Sequence, residues 1–414
     1  MVLRAAFTVA ICCGTATAQN AFRALEPLGG HQQSHALQIS ANGGFVCGRS
    51  IPTINAYRAT RWETATGTVD SLGVLPGKSR SLAAGISDNG ATVTGWSDTN
   101  PGVATGFTWT PGGGMIANQL IHSNAISDDA SIVGGERSLL PVYIPSGGAL
   151  VYLESKNLPG AVSGASSDGG VLVGATWTIP ASTTGRGAVW YLESGTYARH
   201  ELPEAPGATS SYINDVSAGS TPQSGGFMVG YGQDELLEVS PFHYSWMPGG
   251  ISEMTALPLP AGAVEGMAEG VSQDGLIVVG WVNSDLGSRG HIWKGGFWSE
   301  SRGVREVLLY EYGLDVRGWC MTDVTGISDD GTVICGNGVD PDGRVRGWVA
   351  TTETPLDIPL CPADHDMSGF VDTDDFDAFM VDFESGDARS DLDGSCFVDL
   401  EDATMFLVAY ERGC

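Results

Sequence analysis

Gly85-Ile86-Ser87-Asp88-Asn89-Gly90 opens a unit that runs on through Thr92-Val93-Thr94 to Gly95 and then to Gly106-Phe107-Thr108-Trp109. Asn89-Gly90 marks a tight turn, because glycine accepts the positive φ such turns require, and the period-two apolar run after it marks a strand. The same order recurs along the chain. The turn serine returns at Ser40, Ser87, Ser127, Ser166, Ser217, Ser272 and Ser328. The glycine that closes the second strand returns at Gly48, Gly95, Gly134, Gly174, Gly230, Gly280 and Gly336. An aromatic follows at Trp62, Trp109, Trp190, Trp246, Trp293 and Trp348, and the third unit offers Tyr143 instead. Leu72-Gly73-Val74-Leu75-Pro76-Gly77 supplies a fourth strand and exit turn, echoed by Leu25-Glu26-Pro27-Leu28-Gly29-Gly30.

Serine spacings run from 39 residues (Ser127 to Ser166) to 56 (Ser272 to Ser328). Four short strands in about 40–50 residues is the size of a propeller blade. Seven units over residues 19–352 therefore predict a mainly β chain with a seven-bladed β-propeller. A solenoid, which also stacks repeats on their neighbours, is the competing architecture. The last unit, 323–352, has three clear strands, and the segment 22–28 looks like an orphan fourth strand. Pairing the two would close the ring and hide two sheet edges.

These units resemble the HAF repeat of bacterial secreted proteins, through Ala104-Thr105-Gly106-Phe107-Thr108-Trp109, Arg289-Gly290-His291-Ile292-Trp293 and the Leu-Gly-x-Leu-Pro-Gly turn. The resemblance covers about residues 22–352. It implies an extracellular β repeat and brings no known catalytic residues.

Of the 414 residues, 59 are glycine and only 16% are charged, with a formal net charge of −28. Such a charge repels phosphate backbones, so nucleic acid is an unsuitable partner. Residues 1–18 read as a secretory signal: Arg4 is the positive start, the stretch 5–13 is apolar and Ala16-Thr17-Ala18 is the cleavage site. That apolar stretch falls well short of the roughly 20 residues needed to span a bilayer, and no other segment reads as transmembrane. Cleavage leaves Cys47, Cys320, Cys335, Cys361, Cys396 and Cys414, an even number compatible with disulfides of undetermined pairing. Cys361 and Cys414 bracket the terminal module and are the first pair to expect.

After a short proline-bearing linker, 353–360, the composition turns acidic. A calcium loop can be laid out from Asp364, with Asp366, Ser368, Phe370 (through its carbonyl), Asp372 and Asp375 at positions 3, 5, 7, 9 and 12, and Gly369 at the sharp turn. The pattern returns 27 residues on (391 − 364) as Asp391, Asp393, Ser395, Phe397, Asp399 and Asp402, with Cys396 where glycine belongs. Calcium, a hard cation, takes six to eight oxygens, which this alternation supplies. The β-carbon of Cys396 resists the turn and weakens the second loop. Each loop leads into an amphipathic helix, with Phe376, Phe379, Met380 and Phe383 on the first apolar face and Ala403, Phe406, Leu407 and Tyr410 on the second.

Residues 361–414 resemble dockerins of the variety framed by Cys361-Pro362-Ala363-Asp364 and Gly413-Cys414. The resemblance implies calcium at both loops and docking to a cohesin-like or other envelope or scaffold partner. It places the partner contacts at Thr373-Asp374 and Leu400-Glu401, two unlike pairs that disfavour interchangeable binding.

The seven histidines form no zinc motif, and no nucleophile elbow or phosphate loop is present. His365 at loop position 2 is expected to point outward. The periodic tryptophans read as packing rather than a sugar platform. Asp215, Glu265, Glu269 and Asp323 lie near the innermost strands, where two carboxylates in a central pocket would suit a glycan hydrolase or lyase; rim acids serving only solvation are the plainer reading. The sequence therefore points to a non-catalytic secreted interaction protein, with the targeted enzyme as the alternative.

Overall fold

A computed structural model describes residues 20–358, 363–365, 371–392 and 397–412, apart from 54–55, 100–101, 157, 178–184, 204, 206, 222, 247–252, 261, 285–286 and 296–299. The leader 1–18, and with it the cleavage site, lies outside the described residues, as do Cys361, Cys396 and Cys414.

Seven four-stranded antiparallel sheets make a seven-bladed propeller. Blade 1 runs outward from the axis through Gln33–Ile39, Phe45–Thr53, Ala56–Glu63 and Val69–Gly73. The inner strands of blades 2 to 7 are Arg80–Ile86, His122–Ile126, Gly160–Ala165, Ser210–Val216, Ala263–Val271 and Cys320–Ile327. Blade 7 takes its outer strand from the other end of the chain. Ala21–Leu25 pairs antiparallel with Val345–Thr351, in register from Ala21 opposite Thr351 to Leu25 opposite Gly347. The expected closure is thus borne out, sealed by Leu25, which is fully buried, and by Phe22 edge-on to Trp319 at 5.1 Å.

The turn serine builds the hairpin at the foot of each blade. Ser328 Oγ donates to Asp330 Oδ1 (2.7 Å) and accepts Val333 N–H (2.9 Å), while Asp330 Oδ1 accepts Thr332 N–H (3.0 Å). The same knot forms at Ser40, Ser87, Ser127, Ser166 and Ser272 with Asn42, Asn89, Asp129, Asp168 and Asp274. In blade 5 the turn is longer: Ser217 pairs with Ser220 and accepts from Phe227, ten residues on. The residue that follows sits at positive φ, which favours glycine, and a β-carbon on Gly90 would lie 2.2 Å from the Phe45 ring. Blade 3 places Ala130 there at φ 57°.

The tryptophans are buried rather than displayed. Trp62, Trp190 and Trp293 each donate the indole N–H at 2.7 Å to a carbonyl of the connecting segment, at Glu26, Glu154 and Pro258. Trp62, Trp109, Trp190 and Trp293 lie opposite the residue two before the strand-closing glycine, at Val46, Val93, Leu172 and Val278. The other two are out of step: Trp246 faces Gly226 and Trp348 faces Gly336 itself. The even period of the sequence conceals that difference. Cys47 and Cys335 stand at equivalent places in blades 1 and 7 as free, buried thiols. Burial pushes both thiols up, Cys335 to about 12.

A short helix α1 (Val304–Tyr310) follows the last strand of blade 6, Glu300–Gly303. Val304, Val307 and Leu308 bury one side of it in the core between blades 6 and 7. Leu356 and Ile358 join the same core, so the segment read as a linker lies packed on the propeller. Beyond it, α2 (Thr373–Ser385) and α3 (Leu400–Arg412) pack through Phe379 and Phe406, stacked at 4.0 Å and 3°. Among the described residues no helix is long and apolar enough to cross a membrane.

Removing residues 20–30 strips blade 7 of its outer strand and exposes a sheet edge. The melting temperature followed by circular dichroism should fall by ten degrees or more; an unchanged melt would show that closure contributes nothing to stability.

Candidate functional site

Each inner strand carries a β-bulge at the same place, falling at Leu37, Ala84, Asn124, Ser163, Asn214, Glu269 and Thr325. Where the bulged residue can donate, it bonds to a carbonyl of the next blade: Asn124 to Val162 (3.2 Å), Ser163 to Ile213, Asn214 to Ala268 (2.9 Å) and Thr325 to Ala36 (3.4 Å). A bulge re-aims a side chain out of the ladder, and here it aims that side chain across the blade junction. Sequence reasoning missed this ring because the bulged residue changes identity from blade to blade.

One residue further along, the chain faces the axis. The central channel, about 70 Å³, is lined among others by Gln38, Asn124, Asp128, Ser163, Asp215 and Asp329. Its mouth widens into a basin of about 550 Å³ bordered by Asp88, Asp128, Asp129, Asp168 and Asp329. The residues after the turn serines circle this mouth, with Asp88 N–H on Asp128 O, Ser167 N–H on Ala218 O and Asp329 N–H on Ala41 O. Burial holds the Asp215 and Asp329 carboxyls up at about 7, and for Asp329 the neighbouring Asp128, Asp215 and Asp88 add to it.

Of the four acids singled out from sequence, only Asp215 lines the channel, where it accepts Val271 N–H from blade 6 (3.1 Å). Glu269 is wedged at a junction, taking Trp281 Nε1–H (3.3 Å) and Asn214 Nδ2–H (3.4 Å); burial first, then Asp323 and Asp215, raise its carboxyl to about 7. Asp323 accepts both the backbone N–H and the side-chain amide of Asn337, each at 2.9 Å. Asn337 in turn clamps Ala36 across the closing seam, accepting its N–H (2.8 Å) and donating to its carbonyl (3.0 Å). Glu265 stands at the start of its strand, held by Asn283 (2.9 Å), away from the channel lining.

At the C-terminal helices the two predicted loops show one geometry twice. Asp375 Oδ2 accepts Asp372 N–H (2.8 Å) while Asp372 Oδ1 caps Asp374 N–H (2.8 Å). Asp402 Oδ2 accepts Asp399 N–H (2.9 Å) while Asp399 Oδ1 caps Glu401 N–H (2.8 Å). Both position-12 carboxylates, Asp375 and Asp402, are fully buried at a helix start. Asp366, Ser368 and Phe370, like Asp393 and Ser395, lie outside the described residues, and Asp364, Asp391 and Phe397 are described. An all-oxygen donor set with one fully buried carboxylate at each helix start suits a hard cation. Among the described residues no three His, Cys, Asp or Glu converge as a metal-holding group. His365, expected to point outward, is instead buried, packed against Phe379 and the Tyr310 ring of α1 with Nε2 2.8 Å from Asp382, because its ring fills an aromatic interior between the helices.

The architecture defines the class of protein as a seven-bladed β-propeller with a helical C-terminal module. No protein-family model matches the chain, and no curated protein matches it. Among solved structures it is similar to TolB from Acinetobacter baumannii, at 10% identity over 76% of this chain and 66% of that one, with a TM-score of 0.42. It is also similar to the propeller domain of the Trilobed protease from Pyrococcus furiosus, at 12% identity over 79% and 97% of the two chains (TM-score 0.46). A puromycin-hydrolyzing peptidase from Mycobacterium tuberculosis gives 15% identity over 81% and 55% (TM-score 0.46). This chain thus spans about two thirds of the TolB chain and about half of the peptidase.

The junction acids give a pH test with a definite sign. An acid whose folded pKa is raised keeps its proton longer in the native state. Its stabilising contribution is complete below the unfolded value near 4 and is lost as pH rises through about 7. Glu269→Gln should therefore melt several degrees above the parent protein at pH 8 and close to it at pH 4. An equal shift at both pH values would remove Glu269 as a titrating group.

Proposed function

We propose that the chain is a secreted, non-catalytic interaction propeller, held to an envelope or scaffold partner by its calcium-loaded C-terminal module. The observation that carries the docking half is the doubled helix start, with Asp372 and Asp375 repeated bond for bond by Asp399 and Asp402. Beside it, Phe397 (71% exposed), Leu400 (78%), Leu407 and Val408 lay an apolar surface on and just before α3. Leu400 is one of the two partner-contact positions that the dockerin resemblance implies in this loop. The equivalent place on α2 is Thr373, so α3 offers the greasier face. When bound, calcium supplies the positive charge that draws the loop carboxylates together. The protein's own part is to hold Asp375 and Asp402 inward through the Asp372 and Asp399 amides.

The non-catalytic half is supported by what the acids already do. Asp323 orients Asn337, and Asp215 receives a neighbouring blade's amide. One observation favours the alternative, a glycan hydrolase or lyase: carboxyls held near 7 are suited to proton transfer.

Calorimetric titration of the whole chain, stripped with chelator, should show calcium sites in the extracellular range of about 10⁻⁴–10⁻³ M. Asp375→Ala should weaken the first by tenfold or more. The unsubstituted chain should capture an envelope or secretome protein in calcium but not in chelator, and the Asp375→Ala, Asp402→Ala double variant should capture none. Capture that ignores both calcium and these substitutions would refute docking through this module.

A further inference from the structure

Helix α1 has two faces. Val304, Val307 and Leu308 enter the propeller core, while Arg305, Glu306 and Tyr310 are turned toward the C-terminal module. Arg305 Nη1 donates to Asp391 Oδ2 in an ion pair that both side chains bury, Arg305 at 8% and Asp391 at 3% exposure. Tyr310 packs against His365 at 5.9 Å. A cavity of about 110 Å³ between the two parts is walled by Arg289, His291 and Arg302 on one side and by Leu392 and Met405 on the other. The module is therefore seated on the propeller, and the charged contact of that seat falls on one particular carboxylate. Asp391 is the residue at position 1 of the second loop.

We propose that Arg305 is a tethered cation competing with calcium for Asp391, so that docking of the module on α1 and calcium loading of the second loop oppose one another. The inference rests on the calcium reading above. A carboxylate shared with a guanidinium donates less to a metal, and a charge of +1 is set beside an ion of +2. Conversely, an Asp391 drawn to calcium leaves Arg305 buried with a diminished counter-charge, which a low-dielectric interface penalises. Linkage makes the effect reciprocal: the factor by which docking weakens calcium is the factor by which calcium weakens docking. The second loop is the one where such competition matters, because Cys396, standing where the first loop has Gly369, already makes it the poorer site. Calcium would then release the α1 face, together with Tyr310 and His365, as it readies the module for an outside partner.

The test is a calcium titration of the full chain with the parent, Arg305→Met and Arg305→Lys. Arg305→Met should tighten the second site about tenfold and leave the first unchanged, and Arg305→Lys should stay near the parent. In the unsubstituted protein, calcium should raise phenylglyoxal labelling of Arg305, read by peptide mass spectrometry, severalfold over the chelated state. A second-site affinity that is unchanged or weaker in Arg305→Met overturns the proposal. So does labelling of the unsubstituted protein that ignores calcium, a result independent of whether the variant folds. If the first loop loads while the second ignores Arg305, only this inference fails; if neither loop binds calcium, the calcium reading fails with it.

Discussion

A ring of blades has to close, and the pairing of Ala21–Leu25 with Val345–Thr351 is the bond on which the remainder depends. Each blade is a small sheet with one apolar face toward either neighbour, and no blade buries both faces without a complete circle. Around the seam the chain adds polar bonds to the apolar seal. Asn337, fixed by Asp323, clamps Ala36, and Ser34 bridges from the carbonyl of Leu25 to the amide of Gly347. The donors on the inner-strand bulges extend the same logic around the ring. The channel is narrow because these clasps draw the blades together, and the acids at its mouth are gathered by ring geometry.

Much of this fold was legible in the sequence. The turn serine, the strand-closing glycine and the tryptophan are each required by a local geometry that the blade repeats, so the residue type itself repeats. The orphan strand was legible because the seventh unit lacked a fourth strand of its own. What stayed hidden is whatever the fold does with a position rather than with a residue type. The bulged residue ranges from Leu37 to Glu269, since a donor, a methyl group or a buried acid can each occupy the junction. Trp246 and Trp348 keep the sequence period while changing register, which only strand pairing reveals.

The candidate sites divide the same way. The loop acids were legible as a spacing that returns 27 residues on (391 − 364), and the helix starts at Asp372 and Asp399 follow that spacing. The seat of the module was not legible. Arg305 and Asp391 are 86 residues apart and belong to different folding units. Nothing in the local pattern of either marks it as a partner of the other. The role of Asp323 was hidden for a related reason: a carboxylate near the axis looks alike in sequence whether it attacks a bond or, as the structure shows for Asp323, holds an asparagine.

The closing strand also sets an order of events. Its two partners are separated by more than three hundred residues, so a chain emerging from its amino terminus presents Ala21–Leu25 long before Val345–Thr351 exists. Until then the early strand is an unsatisfied edge and six blades stand as an open arc with bare apolar ends. Contacts of such range are slow to form, and half-built β structures invite association with other chains. Folding completed only once the whole chain has been made would let both ends of the seam arrive together. The architecture thus bears on biogenesis as much as on binding: a protein of this kind needs its last blade before its first strand has anywhere to go.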